Sequence, residues 1–141
     1  MKEDKLDKFN FLIGNWNMES RIPKSNFSEA GTDKGEGSFK KILNDNYVLF
    51  EYSAESGGGA YGIFAWDKKL EIYRYWWFEN SGNFDTSTCN FINDDTLAMN
   101  WHGSLFVQTF KKETPNKVVL KMKYPVDNDG YKCMLEVIFT K

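Results

Sequence analysis

Cysteine is almost missing from this 141-residue chain: Cys89 and Cys133 stand far apart with no Cys-x-x-Cys spacing. Neither a disulfide framework nor a zinc knuckle is indicated. Histidine is scarcer still. A three-histidine zinc site is excluded by count, because His102 is alone. A single histidine beside Gly103-Ser104 reads as a solvated strand end, with axial haem ligation or general-base work as its functional alternatives. No Gly-x-Ser-x-Gly elbow accompanies it. Charge of one sign is lacking too: 18 Lys and Arg oppose 20 Asp and Glu, interspersed, for a formal net charge of −2. Without a basic stripe, nucleic acid and anionic membrane surfaces are not expected as main partners.

Long apolar runs are also missing, so no membrane-spanning helix is expected. The opening MKEDKLDKFNFLIGNW carries charges through its first eight residues and has no apolar core of the ~7–15 residues that a secretion signal needs. A reducing, cytoplasmic setting is the expectation. Gly57-Gly58-Gly59 is not followed by Lys-Ser/Thr and a helix, so it reads as a flexible turn and not a phosphate loop.

What is present is aromatic. Phe, Trp and Tyr make up 17% of the residues although mean hydropathy is −0.57, so apolar surface is concentrated in a few large side chains between polar turns. That pattern suits β structure, and the length suits one domain, residues 1–141, with one core. The richest stretch, Tyr61 to Phe78, reads as a hairpin: aromatic and β-branched runs at Ala60–Trp66 and Leu70–Glu79 flank Asp67-Lys68-Lys69. Alternation on the second run puts Leu70, Ile72, Arg74, Trp76 and Phe78 on one face. Glu71, Tyr73, Tyr75, Trp77 and Glu79 take the other.

The rest repeats this grammar. Asp4 to Leu12 reads as a short helix capped by Asp4, with Leu6, Phe9 and Ile13 on one side, suited to plugging one end of an enclosure. Trp16 to Ile22 alternates cleanly as a half-buried strand, and Pro23 to Asp33 reads as a polar loop. Eight further runs then follow at Gly35–Leu43, Tyr47–Glu55, the two hairpin runs, Asn83–Phe91, Thr96–His102, Leu105–Lys112 and Lys117–Val126, with Tyr131–Thr140 closing the series. Breaks such as Asn44-Asp45-Asn46, Asn80-Ser81-Gly82 and Asp127-Asn128-Asp129-Gly130 are built of turn formers. No gap is long enough for a helical crossover, so neighbours in sequence pair antiparallel. About ten strands, an even number, allow the last to pair with the first. The expected fold is all-β: an antiparallel up-and-down β-barrel that leaves no edge and is wide enough to enclose a cavity.

The order of short helix, Leu12-Ile13-Gly14-Asn15-Trp16 and strand meander resembles lipocalin-like (calycin) barrels, whose opening strand carries Gly-x-Trp. The layout as a whole, including the aromatic-Gly-x-x-x-aromatic-Asp segment at Tyr61 to Asp67, is similar to the bacterial family called domain of unknown function 1579. The resemblance implies structural roles for Gly14 and Trp16, the tryptophan packing across the closed end. Nitrobindin-like haem proteins continue the signature with further glycines. Here Gly14-Asn15-Trp16-Asn17-Met18-Glu19-Ser20 has none, which argues against haem; no cofactor or metal is expected.

Three functional readings follow. The first is non-covalent binding of a small apolar or aromatic ligand, anionic if Arg74 faces the interior as its anchor. Arg74, Ile72, Trp76, Phe78, Phe50, Met122 and Tyr124 are the candidate contacts. The bland alternative for Arg74 is an outward side chain stacked on an aromatic or paired with a carboxylate. The second reading is acid/base chemistry on a phenolic or carboxylate substrate, using Arg74, Asp85 and Tyr75 or Tyr61, and it requires all of them to converge on one cavity. The third is an interaction module, a homodimer through whichever aromatic stripe of the second hairpin strand points outward.

Overall fold

The computed structural model describes residues 4–24, 29–101, 105–126 and 130–141. Asp4 caps a 3-10 helix, η1 (Lys5–Phe9), accepting from the Leu6 N–H at 2.9 Å. Ten strands follow: β1 (Gly14–Ile22), β2 (Gly31–Ile42), β3 (Tyr47–Ala54), β4 (Gly59–Asp67), β5 (Ile72–Glu79), β6 (Phe84–Asn93), β7 (Thr96–Trp101), β8 (Val107–Thr114), β9 (Lys117–Val126) and β10 (Gly130–Thr140). Each pairs antiparallel with its neighbour in sequence, and β10 pairs with β1 to close the barrel. Closure gives every strand two partners and leaves no edge.

Two elements differ from their sequence reading. β2 begins at Gly31, inside the segment expected to be loop. Its inward residues there are Asp33, Gly35 and Gly37, which supply no apolar alternation to betray a strand. In β10 a bulge between Cys133 and Leu135 breaks the expected alternation, so Cys133 pairs with outward Lys123, and Lys132 pairs with Tyr124 on the inward side.

The two ends of the barrel are built differently. At one end η1 lies across the strands, and Leu6, Phe9 and Leu12 are buried. Phe9 sits 4.8 Å from the Phe64 ring and 5.0 Å from Phe91, with Tyr73 edge-on at 5.4 Å. Polar ties hold the plug down: Tyr73 donates its hydroxyl to the Lys5 carbonyl at 2.6 Å, and Lys41 Nζ reaches Asp7 at 2.7 Å. Gly14, at φ +135°, turns the chain from plug into β1, a conformation that favours glycine. Trp16 is buried at this end, donating Nε1–H to the Leu12 carbonyl at 2.7 Å beneath the Lys141 ammonium. The opposite end, the mouth, carries the β1–β2, β3–β4, β5–β6, β7–β8 and β9–β10 connections.

Candidate functional site

The β4–β5 hairpin decides which aromatic face is inside. Its turn pairs Asp67 with Ile72, so Trp66 meets Tyr73, Phe64 meets Tyr75 and Gly62 meets Trp77. On this side each large ring finds an angled partner or a glycine. Phe64 and Tyr75 are tilted at 4.3 Å, and a Cβ on Gly62 would overlap the Tyr75 hydroxyl. Tyr73 and Tyr75 are accordingly buried.

Ile72, Arg74, Trp76 and Phe78 face the other way, and their expected place inside the barrel is corrected. Alternation assigns only one face of β5 to the interior, and Tyr73 and Tyr75 are buried on it, whereas Trp76 beside Ile63 and Phe78 beside Tyr61 are exposed on the other. Arg74 donates Nε–H to Asp67 Oδ2 at 2.8 Å on the outer surface. That hydrogen bond, helped by the Leu70 N–H, holds the Asp67 carboxyl below its ordinary 3.8. Asp85 pairs with Trp77 and so belongs to the inward side, whereas Tyr61 is outward. Arg74 and Asp85 are on opposite sides of the wall, and the groups named for acid/base chemistry do not converge. His102 lies outside the described residues.

Of the other expected contacts, Phe50 and Met122 line a cavity of about 380 Å³ in the mouth half. Tyr124 is buried on the same side of β9 but is not part of the lining. One wall is aliphatic, from Leu120, Met122, Leu135 and Val137. The facing wall is a stack of near-parallel rings: Phe50 to Tyr52 at 5.9 Å and 22°, then Tyr52 to Trp77 at 5.8 Å and 16°. Beside it, glycines on β2 let their neighbours approach closely. A Cβ on Gly37 would stand 2.6 Å from Met18 Sδ, and one on Gly35 would overlap the Ser53 carbonyl. Asp33-x-Gly35-x-Gly37-x-Phe39 is an inward period-two row, and its Asp33 borders the cavity, but polar and glycine positions hid that period in the sequence.

Polar groups enter this lining at two places. At the rim, Glu79 accepts from Trp77 Nε1–H at 3.0 Å and from the Ser81 hydroxyl at 3.1 Å. Asp33 accepts from the Ser56 hydroxyl and from the Lys34 N–H, which hold its carboxyl below the ordinary value. Across the barrel, Gln108 accepts from Trp101 Nε1–H at 2.8 Å through its amide oxygen. Gln108 is only 6% exposed, and its amide nitrogen has no protein partner among the described residues. The hydroxyl of Ser87, between Tyr75 and Trp101, is buried with no partner among them either. Burial pushes the Tyr75 phenol well up, and the Cys89 thiol up to about 12, so neither is poised as a nucleophile near neutrality. Among the described residues no group of three His, Cys, Asp or Glu could hold a metal ion.

No family model matches the chain, and no curated protein matches it significantly. Among solved structures it is similar to Rv2717c from M. tuberculosis, with a TM-score of 0.66 and 8% identity over 100% of this chain and 99% of that one. A redesigned beta barrel aligns at a TM-score of 0.45 and 12% identity, over 99% and 98% of the two chains. At such low identity the first likeness bears on the fold alone: the chain is a closed ten-stranded antiparallel barrel, compatible with ligand binding, whose architecture has a neighbour in a mycobacterial protein.

Proposed function

We propose that this is a lipocalin-like barrel that holds a small apolar or aromatic molecule, without covalent chemistry, in the mouth half of its interior. The observation that supports this reading is the lining, apolar and aromatic walls with a few converging polar groups. Its volume of about 380 Å³ falls near the lower end of the ~300–1,000 Å³ of small-molecule sites. Arg74 has no part in it, since its guanidinium is outside and engaged with Asp67. Trp77 and Trp101 border the cavity, so titration with the neutral aromatic probe N-phenyl-1-naphthylamine should quench tryptophan emission saturably at one probe per chain. Ser20→Trp, which fills the cavity from β1, should abolish that binding while leaving the β spectrum in far-UV circular dichroism intact. Undiminished binding by the filled variant would place the probe elsewhere and overturn the reading.

A second reading, self-association, rests on the outer surface of the same hairpin. Tyr61, Phe78 and Phe84 pair across three strands in one outward row and are 58%, 48% and 77% exposed. Such a row suits a homodimer. Sedimentation at micromolar concentration should then show a dimer that Phe78→Ser together with Phe84→Ser dissolves; a monomeric parent protein would exclude it.

A further inference from the structure

We infer that the ligand of this cavity carries a cationic head, an amine or quaternary ammonium, seated at the rim between Asp33, Glu79 and the Tyr52–Trp77 stack. The inference rests on the binding role proposed above and specifies its chemistry. Charge is its first support. The lining contains Asp33 and Glu79 but no lysine or arginine, and among the described residues neither carboxylate has an ion-pair partner within 4.0 Å. Lys132, the basic residue that the β10 bulge turns inward, is exposed beside Tyr124 and outside the lining.

Geometry is the second support. Both carboxylates are oriented by donors from the protein, Ser56 and Lys34 for Asp33, Trp77 and Ser81 for Glu79. Each retains acceptor capacity for an ammonium group. Trp77 serves twice: its N–H fixes Glu79, and its ring stacks on Tyr52 at 5.8 Å, presenting aromatic faces of the kind on which cations settle. The field of Glu79 and Asp33 reaches Tyr52, whose phenol is pushed up by burial first and by these two carboxylates after it.

A third observation comes from the opposite wall. Gln108 presents a donor from a largely buried side chain, its amide oxygen being held by Trp101. In the barrel order β8 lies across from β3, so rim carboxylates and Gln108 address different parts of one ligand. The molecule that fits has an ammonium group at one end, an apolar or aromatic body, and an acceptor oxygen or nitrogen toward Gln108. An anionic amphiphile such as a fatty acid meets two carboxylates at the rim and no cation in the lining.

The test is a matched series on the intact protein at neutral pH and low salt: 4-phenylbutylamine, 4-phenylbutanol and 4-phenylbutanoate, each displacing N-phenyl-1-naphthylamine. The amine should bind at least about 10-fold more tightly than the alcohol, and the carboxylate more weakly than both. In Asp33→Asn with Glu79→Gln, whose side chains keep their shape and whose folding circular dichroism verifies, the amine-to-alcohol ratio should collapse to within about 2-fold. An amine that binds no better than the alcohol in the parent protein, or a ratio that survives both substitutions, overturns the cationic head and leaves the apolar site standing. If the probe does not bind the parent saturably, the binding reading itself fails and takes this inference with it; a bound probe that the amine does not displace overturns the cationic head alone.

Discussion

The plugged end and the mouth end of this barrel are made from the same ten strands, yet they meet opposite demands. Toward η1 the interior is dry and full, with Phe9, Phe64, Phe91 and Tyr73 packed ring against ring. Toward the mouth, inward positions are given to Gly35, Gly37 and Ser20, and to the carboxylates Asp33 and Glu79 at the rim. Stability is concentrated where a side chain touches others on all sides. Capacity for a ligand exists only where such contacts have been given up, and one chain supplies both by changing what it places on one face of each strand.

The widest separation of the two ends should come from paired truncations. Phe9→Ala removes a ring with no exposed surface and should cost about 3–5 kcal/mol in urea unfolding. Leu135→Ala, at the border of the cavity, should cost no more than the ~2 kcal/mol lower end for such changes, since its side chain already lacks neighbours on one side. Equal costs would mean that the mouth half is as tightly filled as the plug.

The boundary between the halves is the contact of Gly62 with Tyr75. Gly62→Ala forces a methyl group against the phenol and should destabilise by about 1–3 kcal/mol. Adding Tyr75→Phe removes the hydroxyl, though not the ring atoms beside it, so partial recovery is expected in a double-mutant cycle. Strict additivity would show that the two residues do not meet.

Tyr75 also gives the barrel an alkaline limit. Its phenol is buried and its folded-state pKa is raised, so below the ordinary 10.0 both states are neutral and stability is unaffected. As pH climbs from there toward the folded value, only the unfolded chain ionises, and stability falls. Denaturation midpoints measured from pH 9 to 11 should decline less steeply in Tyr75→Phe than in the parent.

The smallest effect is expected outside the wall. Arg74→Met breaks a half-exposed pair with Asp67 on the outer surface and should move the melting temperature by about 2 °C or less, without altering probe binding. A marked loss of affinity would return Arg74 to the site.

Much of this architecture was legible in the sequence because turn formers and period-two alternation mark each strand; β9 spans Lys117–Val126 as expected. The inside of β5 was not, because both faces of Ile72–Glu79 are aromatic and alternation alone yields two sets without ranking them. Register ranks them. Counting back from the turn places Gly62 beside Trp77, and Asp67 on the side of Arg74, so the residues that share space are visible only once two strands are aligned. The cavity was hidden for the converse reason: part of its border is Ser20, Asp33, Ser56 and Glu79, which add nothing to a hydrophobic pattern.

Closure through β1 and β10 has a consequence in time. Met18 finds Phe139, and Ser20 finds Val137, only after all the strands between them have been made. Until then β1 and β9 are unsatisfied edges, open to pairing with another chain, and the seam is the longest loop that folding must close. The Lys141 ammonium, set over the Trp16 ring at 4.5 Å and donating to the Ile13 carbonyl at 3.2 Å, fastens that seam just beyond β10. The docking of β10 on β1 thus does more than add a strand: it turns a row of hairpins into a vessel.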